Sequence, residues 1–204
     1  MSETKTSITN LALRAIGSYR IDDFDTDTGA EAQVARDVWD AARRDALASH
    51  EWRFAIRVVQ LAQAGETPAG LYGYAYPLPS NFIALSSVSD RSSLDPALRE
   101  FDMIDVPASD DEPRLCIVAN KTALFIEYVY DHAKVGSWPP WFVTYMAAKL
   151  AAHMAGPLKS TTEADRLETL ARAKLGVART RDSTQQPVRD TPMGSWVSSM
   201  RTRR

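Results

Sequence analysis

The chain has 204 residues, 45% hydrophobic and 25% charged, with a formal net charge of −2; this is the balance of a globular protein and excludes a disordered one. From Arg179 onward six arginines stand against two aspartates, a charge of +4, which leaves 18 basic and 24 acidic residues, or −6, before it; an acidic body argues against a DNA-binding face on the folded part. No run of about 18 apolar residues occurs, and the start, MSETKTSITN, lacks the basic and apolar regions of a signal peptide, so neither membrane insertion nor secretion is expected.

In chain order, Ile8, Leu11, Ala12, Ala15 and Ile16 share one helical face and Gly17 stands where a left-handed C-cap belongs, which predicts a first helix. Thr28 and Glu31 have capping-box spacing, and Ala35, Val38, Trp39, Ala42 and Ala46 continue a stripe, so a second helix is expected over residues 28–50, with His50 as a C-terminal cap. Trp52, Phe54, Ile56 and Val58 then alternate with Arg53, Ala55 and Arg57, the pattern of a half-buried strand.

Tyr72, Tyr74, Tyr76 and Leu78 alternate before Pro79, Ser80 and Asn81, and residues 82–88 read as a further strand. Residues 89–113 are polar and expected as loop. The stretch RLCIVANKTALFIEYVYDH holds two extended runs around Asn120 and Lys121, which suit a tight hairpin because Asn tolerates a positive φ. Cys116, the single cysteine, excludes an intramolecular disulfide and a cysteine zinc site, fits a reducing cytosol, and is expected as a buried small hydrophobe.

Helical spacing returns with Phe142, Met146, Leu150 and Met154, flanked by Ala147, Ala148, Ala151 and Ala152, and is expected to stop at Gly156 and Pro157. Ser160 and Glu163 form another capping box before a last helix carrying Leu167, Ala171, Leu175 and Ala178 on one face. The expected fold class is α+β, mainly α: a four-helix bundle with a β-rich insertion between the second and third helices and an extended C-terminal arm. Its divisions are residues 1–52 and 138–182 for the bundle, 53–137 for the insertion, and 183–204 for the arm.

Motifs of chemistry are scarce. Asp23, Asp25 and Asp27 imitate the start of a calcium loop, but the sixth position is Thr28 and the twelfth Val34, where glycine and glutamate are needed; the stretch reads as a solvated interhelical loop. His50, His132 and His153 have no metal-ligand spacing, and no phosphate loop or nucleophile elbow is present. Asp110, Asp111 and Glu112 read as a solvated face. No catalytic residue, metal or cofactor is expected. Trp39, Trp52 and Trp141 sit in periodic segments and are expected in the core, whereas Trp196 stands alone in TPMGSWVSSMRTRR, a polar stretch without period, as interface anchors do.

Five stretches carry a family likeness: SITNLALRAIGSYRIDDFD, HEWRFAIRVVQLA, YGYAYPLPSNFIALSSV, WPPWFVTYMAAKLAAHMAGPL and GSWVSSMRTRR. In this order they resemble the tail tubular protein A family of bacteriophage head-to-tail adaptors. The specific parts are NxALxxIG at Asn10, Ala12, Leu13, Ile16 and Gly17, WxFA at Trp52, Phe54 and Ala55, and YxLPxx from Tyr76 to Asn81. The resemblance implies a structural virion protein at the head-to-tail junction, assembled in the host cytoplasm. Its implied partners are a portal protein, a tail tube or nozzle protein, further copies of itself in a dodecameric ring, and DNA passing through the lumen without sequence-specific binding. The arm is then expected to dock on the portal, with Met193, Trp196 and Val197 in an apolar groove and Arg201, Arg203 and Arg204 against acidic side chains. The alternative is a nucleic-acid-binding module that uses the basic tail on phosphates.

Overall fold

The computed structural model describes residues 3–65, 70–94, 96–107 and 113–185. It opens with α1 (Lys5–Ile16), where Thr4 and Ser7 close a reciprocal capping box and Ile8, Ala12, Leu13 and Ile16 are buried. Gly17 ends the helix at φ 72°, and the Ser18 amide donates to the Leu13 carbonyl at 3.0 Å, as the left-handed cap predicts. The second helix, α2 (Ala30–Ala48), starts later than the spacing suggests. Thr28 caps nothing; Gly29 holds the N-cap, and the Asp27 carboxylate accepts the Gly29 amide at 2.8 Å. Ser49, not His50, is the C-cap.

Trp52 leads into a short 3-10 turn (Arg53–Ala55), and only then does β1 (Ile56–Leu61) begin. The alternation from Trp52 is therefore no strand at its start. Trp52 is fully buried, its indole donates to the Ala46 carbonyl at 2.9 Å and its ring lies edge-on to Phe142 at 5.2 Å. Burial of so large a side chain decides the local backbone against the weaker strand preference of the segment. The chain continues through β2 (Tyr74–Pro77), β3 (Phe82–Ser89), β4 (Asp102–Pro107), β5 (Pro113–Ala119) and β6 (Leu124–Tyr130).

These strands form two three-stranded antiparallel sheets, ordered β1-β6-β3 and β2-β5-β4. The hairpin expected at Asn120 and Lys121 does not form, because β5 and β6 belong to different sheets. Asn120 works instead through its side chain, accepting the Gly73 amide at 2.7 Å and donating to the Leu71 carbonyl at 3.3 Å. The sheets face each other across Leu61, Val88, Leu124, Ile126 and Tyr128 from one and Tyr76, Ile117 and Ala119 from the other. Cys116 is buried behind the second sheet with Ala75, Val106 and Val118.

After a second 3-10 turn (Val135–Ser137) come α3 (Pro140–Leu158) and α4 (Thr161–Ser183). Phe142, Met146, Leu150 and Met154 of α3 are all fully buried. The helix runs through Gly156 and Pro157 to Leu158, because a proline in the last turn forfeits only one hydrogen bond there. Ser160 caps α4 by accepting the Glu163 amide at 3.2 Å, while the Glu163 carboxylate turns to Arg166 rather than completing the box.

The four-helix bundle with a β insertion is corrected by this arrangement. With 46% helix and 22% strand, four helices and two three-stranded sheets, the protein is mixed α+β, and the strands lie mostly after the first two helices rather than inside a bundle. The helices converge on α3, with which α1, α2 and α4 each pack. The first sheet is a further layer of the same body: Val129 is buried in the helical core, and Phe54, Ile83, Ala84 and Tyr130 pack against it. β6 serves two cores, with Leu124, Ile126 and Tyr128 in the one between the sheets and Val129 in the helical one.

Candidate assembly surfaces

The residues expected to bind the portal, Met193, Trp196, Val197, Arg201, Arg203 and Arg204, lie outside the described residues. The structure does place the base from which that stretch departs. In the last turns of α4, Asp182 is only 3% exposed; its carboxylate accepts the Arg53 amide at 3.3 Å and lies 3.5 Å from His50 Nε2. The Arg179 guanidinium donates to the Ser49 carbonyl. The end of α4 is thus fastened to the α2–β1 junction by a buried carboxylate. Asp182→Ala strands the Arg53 amide, and the expected loss is about 1–3 kcal/mol in urea unfolding; Asp182→Asn, which keeps an acceptor, should lose less.

Two charge networks tie the layers together. Lys149 Nζ sits 2.9 Å from Asp45 and 3.2 Å from Glu168, and His153 Nε2 lies 3.4 Å from the same Asp45 carboxylate. Burial pushes the Lys149 ammonium down, but Asp45 and Glu168 outweigh it and hold its pKa above the usual value. Burial likewise pushes Asp45 up, and Lys149 and His153 bring it below the carboxylate range. Both groups are therefore charged at neutral pH, and the set crosslinks α2, α3 and α4. The second network joins Arg43 to Asp131 through two bonds of 2.8 and 2.9 Å and to Asp40 at 2.6 Å.

Neither network presents a reactive group. Ser137 Oγ lies 3.1 Å from His132 Nε2 but donates its own proton to the Lys134 carbonyl at 2.8 Å. Burial, then Arg57 and Lys134, push the His132 pKa down, and the neighbouring Asp131 carboxylate is occupied by Arg43 and Arg44. No base–nucleophile relay is set up by that geometry. In DDFDTDTG, Asp23 accepts the Asp25 and Thr26 amides and the Thr26 hydroxyl, while Asp27 accepts the Gly29 and Asp22 amides. The acids close a turn on their own backbone, and no group of three metal-ligating side chains occurs among the described residues.

The residues that carry the resemblance fall on positions that set the fold. The Asn10 amide grips the Ile21 backbone from both sides, at 2.9 and 3.0 Å, and so fixes the loop that leaves α1. Trp52 and Ala55 are buried, with Phe54 packed against Phe142 at 4.8 Å. The Tyr76 hydroxyl donates to the Lys121 carbonyl, and Asn81 accepts the Tyr128 hydroxyl at 3.1 Å. Of the expected core tryptophans Trp39 and Trp52 are buried, while Trp141 is half-buried and packs at the core's edge.

Two surface features escaped the sequence reading. A groove of about 680 Å³ runs along the outer side of α1, lined by Ser7, Leu11, Arg14, Gly17 and Arg20 among others. On the far sheet, β4 exposes Met103 and Ile104 beside Asp102 and Asp105. The groove had no signal in the sequence beyond Leu11, which helical spacing assigns to the core. The strand had one, in charge alone: Asp102 and Asp105 belong to EFDMIDVPASDDE, residues 100–112, which hold six acids and no base. Compared with known protein families and with curated proteins, the chain matches none.

Proposed function

We propose that this protein is a structural virion component, a head-to-tail connector adaptor that forms a ring between portal and tail through which DNA passes. The observation that carries the reading is the ordered set of five stretches resembling the tail tubular protein A family. Their specific residues, Asn10, Gly17, Trp52, Tyr76 and Asn81, all sit in contacts that determine the fold, as residues that report an architecture rather than a chemistry should. The acidic body supports it too: a lumen of net negative charge repels DNA and lets it slide, whereas a basic lumen would hold it.

On this reading the protein acts without catalysis or cofactor. Its partners are the portal, a tail tube or nozzle protein, and its own copies in a dodecamer matching the portal's symmetry. Electron microscopy of the purified protein mixed with its cognate portal should show a ring capping the portal. A protein that associates with neither portal nor virions ends the proposal. The arginines of the tail favour the second reading, nucleic-acid binding; if it holds, salt-sensitive DNA affinity disappears on deletion of residues 188–204.

A further inference from the structure

We propose that Arg57, His132 and Lys134, gathered where β6 ends, form a binding site for a phosphate group, supplied either as the free ion or by the backbone of a nucleic acid. The site does not rest on the adaptor reading.

The sequence leaves this corner without acid. Residues 52–65 carry Arg53 and Arg57, and residues 132–138 carry His132 and Lys134, with no aspartate or glutamate in either stretch. Asp131, the carboxylate next to His132 in the chain, is committed to Arg43 and Arg44 of α2 at 2.8 and 3.3 Å. Arg57 and Lys134 are both exposed, and among the described residues no carboxylate comes within ion-pair distance of either. Two cations thus stand uncompensated on a chain whose body is acidic.

Arg57 is held in place. Its guanidinium lies over the Tyr130 ring, 3.7 Å from the centroid; the His132 ring stacks on the same tyrosine at 5.1 Å, and Phe54 lies against the histidine at 5.6 Å. A guanidinium stacked on an aromatic face keeps its N–H groups around its own plane, where they can grip two oxygens of one anion. Fixing it beforehand removes ordering entropy that binding would otherwise cost. His132 is oriented as well. The Ser137 hydroxyl gives its proton to the Lys134 carbonyl at 2.8 Å, so the 3.1 Å contact is made by His132 Nε2–H donating to Ser137 Oγ. Nδ1 is then the bare nitrogen of the neutral ring and has no partner among the described residues; a second proton turns it into a donor.

The charges around the ring show what is missing. Burial, then Arg57 and Lys134, hold His132 below its ordinary pKa, and Asp131 only partly offsets them. Cations kept together without a counter-charge repel one another, and one anion among them relieves all three. A phosphate suits this set better than a carboxylate does. Its tetrahedral oxygens meet a fork, an ammonium and an imidazolium from different sides, and a terminal phosphate carries close to two charges near neutral pH.

The test follows the three histidine side chains of the full-length protein by NMR as inorganic phosphate replaces chloride at fixed ionic strength. The His132 signal should shift to saturation while those of His50 and His153 stay, and phosphate should raise the pH at which His132 gains its second proton. Arg57→Gln with Lys134→Gln should weaken the response about tenfold or more, whereas Lys134→Arg, which keeps the charge, should retain it. Circular dichroism and unmoved His50 and His153 signals confirm that each variant is folded. Three histidines that respond alike, or a His132 response that survives the double substitution, overturn the site. Short duplex DNA separates the two sources. A His132 response at a lower concentration of phosphate groups than the free ion needs, weakening as salt rises, assigns the site to a nucleic-acid backbone. A response to inorganic phosphate with none to DNA assigns it to the free ion.

Discussion

Asp131→Ala is expected to cost about 3 kcal/mol of stability, the low end of the range for breaking a buried ion pair, measured by equilibrium denaturation. Asp131 follows β6 and receives Arg43 of α2 as a fork, at 2.8 and 2.9 Å, with Arg44 adding a third bond at 3.3 Å. Its own amide donates to the Asn81 carbonyl at 2.7 Å, so the residue joins the helical layer to the first sheet in both backbone and side chain. Without the carboxylate, the buried Arg43 guanidinium keeps only Asp40, whose side chain is largely in water. The low end applies because Asp131 retains 15% of its side-chain exposure.

The same pair sets a pH dependence. Burial pushes the Asp131 carboxyl up, but the hydrogen bonds and charges of Arg43 and then Arg44 outweigh it and hold the pKa below the ordinary carboxylate value. A carboxyl depressed in the folded state contributes stability that is present above the unfolded pKa of about 3.9 and is lost as pH falls through the folded value. Acid unfolding of the native protein should therefore include a step below pH of about 4 that is missing from Asp131→Ala. If the variant and the native chain lose stability in parallel between neutral pH and that range, the pair does not hold the layers.

What could be read from the sequence divides along the range of the interactions. The stripes Ile8–Ala12–Ile16, Phe142–Met146–Leu150–Met154 and Leu167–Ala171–Ala178 lie on the buried faces of α1, α3 and α4, since helical periodicity is a property of the segment itself. Gly17 was legible for the same reason. Strand partnership was not: nothing near Asn120 says that β5 and β6 part into different sheets, and nothing in DMIDVP says strand, because β4 is solvated on most positions and has no alternation to show. Trp52 looked like the first residue of a strand until α3 provided the surface that buries it. Asp102 and Asp105 were visible as charge but fell in a stretch read as loop, and only the fold sets them on a strand with Met103 and Ile104.

On the proposed adaptor reading, Trp196→Ala is expected to weaken docking on the portal more than any substitution in the described body. A tryptophan closed into an apolar groove at an interface contributes about 2 kcal/mol or more, which is roughly thirtyfold in affinity for each arm. In a ring the arms act together, and the loss compounds with each subunit that must engage. On the same reading Arg201, Arg203 and Arg204 meet acidic side chains at the edge of the groove, so exchanging them for serine should chiefly flatten the salt dependence of docking and slow association. The fold of residues 1–180 is expected to stay intact in Trp196→Ala, because the helical core is built from the described residues and the buried stripe of α4 ends at Ala178 and Asp182. Portal binding by sedimentation, run beside denaturant unfolding of the same variant, separates the two effects. Docking retained with Trp196 gone would move the portal contact from the arm to the body, and the α4 end, fastened through Asp182, would be the next place to substitute.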